Sequence, residues 1–335
     1  MRIMAVSMIR NDADIVASFL GHCGALFDRV FAVDHYSSDG TAEMLAAATR
    51  KMPLTLRTFR QRDKRQGDIL TALAREAFAD GADWVVPLDA DEFPEVADRA
   101  ALEAMFHRAG DHPVARLRWR NAHPMVPGRF DRFEASGRYE VAARAASYTK
   151  VALRRNLLAE MPNFALSHGS HGIMQDDRMA DIAHPEVGHL RHIPFRSKER
   201  FEAKIAQGIL TADLRTQKPE GESSHYREIQ RLFASVGPTP SVLRRIALHY
   251  GEADALTGGE PSAIEGDWAP CAAPLNLPSG ATCAAEISAV EKTLNWEPEP
   301  LFPKSDLIAD LGLRDVTLRR DWRRAIVAFG KNLLR

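Results

Sequence analysis

Four short apolar runs within the first 95 residues each break off at a polar cluster and alternate with stretches of helical periodicity. RIMAVSMI (2–9) gives way to Arg10-Asn11-Asp12. Ile15, Phe19, Leu20 and Cys23 then recur at helical intervals, with Asn11 or Asp12 placed to cap the helix. VFAV (30–33) stops at Asp34, followed by the turn-rich HYSSDGT and a helix carrying Met44 and Leu45 on its apolar face. LTLRTF (54–59) alternates with period two, and Arg60, Arg62 and Arg65 precede a helix from Asp68 to Phe78. The fourth run, Trp84–Leu88, ends in Asp89, Asp91 and Glu92. Strands alternating with helices at this spacing predict βα units and a mostly parallel sheet. In such sheets ligands sit beyond the carboxyl ends of the strands, so the four polar clusters should face one crevice.

The stretch WVVPLDADEF (84–93) carries the densest charge in this set. An apolar run bounded by polar residues reads as a buried strand, although periodicity alone leaves a helix open. Strand alternation would put Asp89 and Asp91 on one side, about 6–7 Å apart at ~3.3 Å per residue. Two carboxylates there repel unless a cation lies between them. Mg²⁺ or Mn²⁺, held by one or two carboxylates together with substrate phosphates, suits that role. The alternative is a polar turn at a strand end, with Glu92 capping the next element.

At 335 residues the chain can form one large α/β domain or two modest ones. Its 44 basic and 45 acidic residues nearly cancel, which gives no global case for a nucleic-acid partner. Cys23, Cys271 and Cys283 are too scattered for a disulfide framework or a zinc pattern. No run approaches the ~20 apolar residues of a membrane span. MRIMAVSMIRNDAD reaches polar residues too soon for a secretory signal, and the expected location is cytoplasmic.

MIRNDADI, VDHYSSDGT and LDADEF resemble, in order, the (K/R)NE, D-x-x-S-x-DGT and D-x-DEF elements of glycosyltransferase family 2 proteins, especially the subset related to family 92. Asp12 stands for the usual glutamate, and His35-Tyr36 for small residues. The resemblance is specific over residues 3–95 and weaker to about 210. It implies a GT-A fold over 1–210: an α/β, Rossmann-like domain whose mostly parallel central sheet is flanked by helices. It implies transfer of a sugar, with inversion expected, from a nucleotide-diphosphate donor, foremost a UDP-sugar, to a glycan or lipid-linked acceptor. By the same resemblance Asp34 contacts the base or ribose, and Asp91 with Asp89 holds Mn²⁺ or Mg²⁺ on the diphosphate. Ser7, Arg10, Asn11, Ser37, Asp39, Arg62, Arg65, Gln66 and Ala90 complete the expected donor site with Asp34 and Asp89. The arginines suit phosphate because a guanidinium grips it in two-pronged fashion; a solvated loop is the alternative.

Strand-like VARLRW (114–119) and YTKVALR (148–154) flank the turn-rich PMVPGRFDRFEASG. Five of the twelve histidines come next: His168, His171, His184, His189 and His192. LRHIPFRSKERFEAKIAQG (190–208) is similar to the family segment H-Y-x-x-K-S-x-x-E-F-x-x-K, with Ile193 for the tyrosine and Arg196 for the first lysine. That match implies that His192 lies near the donor phosphates or the metal; a structural histidine is the other reading. An inverting transferase needs a carboxylate base. Asp176, Asp177 and Glu186 are candidates, and nothing in the sequence ranks them.

Residues 211–335 read as a mainly helical and irregular extension. Helical patterns run to about 250, and seven prolines and five glycines lie between 251 and 303. The closing VTLRRDWRRAIVAFGKNLLR (316–335) forms a basic amphipathic pattern, which either packs its apolar stripe on the domain or makes peripheral contact with an anionic membrane. Two functional alternatives stand beside a transferase. A nucleotidyltransferase usually needs a glycine- and lysine-rich loop that MIRNDADI lacks, and a binding module would keep the fold without turnover.

Overall fold

The computed structural model describes residues 1–59, 65–128, 133–176, 178–213, 224–252, 260–272 and 275–277. β1 (Ile3–Ile9) alternates across the sheet, sending Ile3, Ala5 and Ile9 into the core on one face and Met4 and Val6 into the core on the other. α1 (Val16–Leu26) starts later than its periodicity predicts. Asn11 adopts a left-handed φ of 54°, and the amides of Ile15 and Val16 donate to the carbonyl of Asp12, so neither Asn11 nor Asp12 caps through its side chain. β2 (Arg29–Asp34), α2 (Thr41–Ala48), β3 (Leu54–Thr58), α3 (Gln66–Ala79) and β4 (Trp84–Pro87) continue the series. β1 pairs in parallel with β2 and β4, and β2 with β3. Phe19, Leu20 and Cys23 of α1 and Met44 and Leu45 of α2 seal one face; Leu70, Leu73, Ala74 and Phe78 of α3 seal the other. Each large apolar side chain so buried contributes about 1.5–3 kcal/mol.

The second half departs from simple alternation. β5 (Glu92–Pro94), α4 (Arg99–His107), β6 (Val114–Pro124), β7 (Gly137–Ala142), β8 (Thr149–Arg154), α5 (Leu157–Glu160), β9 (Ala165–Leu166), β10 (Ile173–Gln175), β11 (Arg178–Met179) and β12 (Glu186–His192) succeed one another. β8 is antiparallel to both β4 and β6, so β6 runs in the same direction as β4. β12 lies parallel to β6 and antiparallel to β5, which brings His192 opposite Glu92 and Asn121. β7 carries no strand signal in the sequence because Tyr139 is its one buried residue, leaving too little apolar alternation.

α6 (Lys198–Asp213), α7 (Ser224–Val236), α8 (Pro240–Leu248) and β13 (Ala263–Trp268) complete the described chain. β13 pairs with β7, so the main path of the sheet runs β13-β7-β6-β8-β4-β1-β2-β3. The mixed α/β architecture expected of a GT-A domain is the one observed, with its parallel half at β4-β1-β2-β3. The first compact unit spans Met1–Ala284. The second unit, Ala285–Arg335, lies outside the described residues, and with it the basic pattern at 316–335. Among the described residues no helix is long and apolar enough to cross a membrane.

Candidate functional site

The carboxyl ends of β1 and β2 meet through their loops. The Asn11 amide donates to Ser37 Oγ (3.0 Å), and the Ser38 amide donates to Asn11 Oδ1 (2.8 Å). Below this junction lie Ser7 and Asp34, both buried. Ser7 Oγ and Asp34 Oδ1 have no partner among the described residues, while Asp34 Oδ2 accepts weakly from the Ser37 amide at 3.5 Å. Burial pushes the Asp34 carboxyl above its usual range. A buried acceptor left in that state is costly unless a ligand donor meets it. Asp39, by contrast, is committed within the protein. It accepts from the Thr41 amide and hydroxyl at the start of α2, from the Ala13 amide, and from Arg200.

The acidic cluster is a turn and not a continued strand. β4 stops at Pro87, and the Glu92 amide donates to the Asp89 carbonyl, so strand alternation does not relate Asp89 to Asp91. Asp89 and Glu92 share Lys150, while Asp91 has partners of its own. Asp89 accepts from Lys150 Nζ (2.8 Å) and Gln66 Nε2 (2.9 Å). Glu92 is fully buried, accepts from the Asp89 amide and from Trp119 Nε1 (2.8 Å), and lies 3.3 Å from Lys150. Burial raises Glu92 to about 8. Burial would also lower Lys150, but Asp89 and Glu92 outweigh it and hold that ammonium above its usual range. Ala90 is buried between the two aspartates.

Asp91 faces the end of β12. His192 Nε2 lies 3.9 Å from Asp91 Oδ2, and His192 Nδ1 lies 2.8 Å from Asn121 Oδ1. The Asn121 amide nitrogen donates to the carbonyls of Leu248 and Tyr250, which fixes Oδ1 as the acceptor. His192 must therefore carry its proton on Nδ1 and turn the Nε2 lone pair toward Asp91. Burial holds this imidazole neutral by lowering it to about 3. Its ring stacks on Trp119, with centroids 4.2 Å apart. Lys204 Nζ contacts Asp91 Oδ2 at 2.7 Å, and Arg196 Nη1 approaches the same oxygen at 3.7 Å. Burial would raise Asp91, but these cations reverse the shift and hold it below the usual carboxylate range. Arg196 is itself pinned by Asp14 (2.6 Å) and Asp12 (2.7 Å), and Arg200 joins Asp14 to Asp39. This buried network ties the loop after β1 to the segment after β12.

A neutral imidazole and a carboxylate presenting lone pairs to each other across 3.9 Å fit a divalent cation between them. A borderline ion such as Mn²⁺ accepts both ligand types. Among the described residues no group of three or more His, Cys, Asp or Glu side chains could hold a metal, so any ion here would take its other ligands from phosphate and water.

The expected residues scatter over this framework. Ser7, Arg10, Asn11, Asp34 and Ser37 lie where β1 and β2 end; Gln66, Asp89, Ala90, Asp91 and His192 lie around the acidic turn. Arg65 precedes α3 and pairs with Asp68 at 3.2 Å, while Arg60, Arg62 and Asp177 lie outside the described residues. Asp176 is exposed in the β10–β11 turn, with a φ of 49°. Its neighbour Gln175 lines a cavity with His112 and Pro113, at the amino end of β6 and so at the opposite end of the sheet from Asp91. Glu186 begins β12, six residues and about 20 Å from His192. The structure brings neither to the site. His184 and His189 pair with Arg116 and Glu186 away from it, whereas His171 contacts Trp119 and Tyr148 beside it. Sequence reasoning missed Lys150 and Asn121, and it gave no role to Lys204, the closing lysine of the family segment. For Lys150 the available signal is a lysine inside the apolar strand TKVALR, a position that demands a buried counter-charge.

No protein-family model and no curated relative matches the chain. Among solved structures, S. aureus TarS in complex with UDP aligns at 14% identity, covering 72% of this chain and 75% of that one, with a TM-score of 0.38. TarS with UDP-GlcNAc aligns at 13% over 76% and 82%, with a TM-score of 0.40. A 4-diphosphocytidyl-2C-methyl-D-erythritolsynthase from Anaerococcus prevotii aligns at 11% over 62% and 96%, with a TM-score of 0.34. Likenesses this distant are similarities of chain trace, and the functional reading stands on the side chains.

Proposed function

We propose that the chain is a glycosyltransferase that uses a nucleotide-diphosphate sugar together with a divalent cation, Mn²⁺ ahead of Mg²⁺. The observation that carries this reading is the pair of facing lone pairs on Asp91 Oδ2 and His192 Nε2, held in place by Asn121. Ser7 and Asp34 offer unmatched buried acceptors at the adjoining strand ends, suited to the N–H and O–H donors of a nucleoside. When bound, the cation would neutralise charge that develops on the departing diphosphate. Asp34 and Ser7 would orient the nucleoside, Asp91 and His192 would fix the phosphate end, and Arg196 would add positive potential from a position it cannot leave.

Calorimetry with a panel of nucleotide sugars, with and without Mn²⁺, tests the reading. Binding of one nucleotide class that strengthens with Mn²⁺, and loses that strengthening in Asp91→Asn, is the expected result. Mn²⁺-independent binding, or Asp91→Asn behaving as wild type, would remove the metal from the site. Release of a nucleoside diphosphate in turnover fits transfer of a sugar, whereas release of pyrophosphate would point to nucleotidyl transfer.

A further inference from the structure

Arg196 and Lys204 both place positive charge on Asp91, yet they differ in freedom. Arg196 is buried and locked to Asp12 and Asp14 by contacts of 2.7 and 2.6 Å. Lys204 stands on α6 with its side chain 32% exposed; the ion pair it makes among the described residues is with Asp91, and its ammonium lies 5.5 Å from the centre of the Tyr250 ring. At 2.7 Å from Asp91 Oδ2, the ammonium occupies the space in which a divalent ion would bind that oxygen. Two cations cannot share it, so the lysine must move before an ion can enter. A lysine is suited to such movement, being a compact charge on a flexible four-carbon stem.

We propose that Lys204 is a displaceable counter-ion: it holds Asp91 until a nucleoside diphosphate and its divalent ion arrive together, then transfers its ammonium to the diphosphate. The proposal rests on the reading of this site given above and adds a coupling to it. A free divalent ion must expel Lys204 into solvent and leaves its charge uncompensated. An ion arriving with a diphosphate brings the anion that receives the displaced ammonium. Metal and nucleotide should therefore each strengthen the other's binding, and by linkage the two factors must be equal. Arg196 keeps the unliganded Asp91 from standing without a positive neighbour while the lysine is away.

The test measures Mn²⁺ binding by the full-length protein, followed by electron paramagnetic resonance of the free ion, with and without UDP. Wild type should bind Mn²⁺ weakly alone and more tightly with UDP, by a factor of about 5–150, the ordinary range of coupling between ligands. Lys204→Met, which keeps the apolar stem, should bind Mn²⁺ about tenfold or more tightly without UDP and show a clearly smaller coupling factor than wild type, the remainder coming from the ion's own phosphate ligands. Lys198→Met, on the same helix but without the Asp91 contact, should behave as wild type; Lys204→Arg should retain the coupling. Lys204→Gln serves if the methionine variant fails to fold. Equal Mn²⁺ affinity in wild type and Lys204→Met without UDP, or coupling as large in the variant as in wild type, would overturn the counter-ion role while leaving the metal site standing. If neither protein binds Mn²⁺ even with UDP, the functional reading itself falls, and this proposal with it.

Discussion

Asn121 Oδ1 accepts a 2.8 Å hydrogen bond from His192 Nδ1, and its own amide nitrogen is committed to the carbonyls of Leu248 and Tyr250. One side chain thus sets the tautomer of His192 and ties β6 to the end of α8. Asn121→Ala should cost about 1–3 kcal/mol of stability, because it leaves two buried carbonyls unmatched. It should also weaken Mn²⁺-dependent nucleotide binding by about 10–100-fold, the usual effect of losing a residue that orients a metal ligand. Chemical denaturation and calorimetry on one preparation check both. Full nucleotide affinity in the folded fraction would show that the tautomer of His192 is irrelevant to binding.

Lys150 is fully buried between Asp89 and Glu92. Lys150→Met should destabilise the protein by about 3–5 kcal/mol, the scale for breaking a buried ion pair from one side. Adding Glu92→Gln should recover little of that loss near pH 7, since Glu92, raised to about 8 by burial, is already largely protonated there. Recovery of most of the loss in the double variant, by urea denaturation, would mean that Glu92 is charged in the fold.

Asp34 gains little from the protein around it, with Oδ1 unpaired and its carboxyl raised by burial. Asp34→Asn should leave the melting temperature unchanged or higher. The dissociation constant for the free nucleotide should rise about 10-fold or more, matching the loss of a hydrogen bond to a charged group. Unchanged affinity would take Asp34 out of the nucleoside site.

His22 supplies a pH signature remote from the site. The Cys271 amide donates to its Nδ1 (2.9 Å), so Nε2 carries the proton and donates to the Pro94 carbonyl (3.1 Å). Burial lowers this imidazole from its ordinary value of 6.5 to about 4. The stability it preserves is complete above 6.5, where folded and unfolded chains are both neutral. It is lost as pH falls toward 4, because the unfolded chain takes up the proton first. Relative to His22→Gln, wild type should lose about 3 kcal/mol between pH 6.5 and pH 4, at about 1.4 kcal/mol for each pH unit that separates the folded and unfolded pKa values. Parallel stability curves for the two proteins across that window would show that His22 already titrates normally in the fold.

The βα series was legible because each strand from β1 to β4 is an apolar run closed by polar residues, and each helix shows its own period. β7 was not legible, since a strand with one buried side chain carries no pattern, and its pairing with β13 joins residues over a hundred apart. In the candidate site, Asp34, Asp91 and His192 are residues that strand ends and a family segment single out. Strand alternation gives the wrong relation of Asp89 to Asp91 because the strand stops at Pro87, just before the chain turns at the acids. Lys150 and Asn121 owe their positions to the pairing of β6, β8 and β12 around the turn, which no local spacing encodes, whereas Lys204 is the closing lysine of the family segment.

Trp268, at the end of β13, packs edge-on to Phe93 and Tyr139 and receives the Arg191 guanidinium on its face. Phe93 comes directly after the acidic turn. During synthesis the βα half precedes β13 by more than a hundred residues, so the apolar cover of Phe93 stays incomplete until residue 268 has left the ribosome. Premature termination anywhere before β13 would yield a product that retains much of the sheet yet exposes Phe93, a stretch for chaperones to recognise.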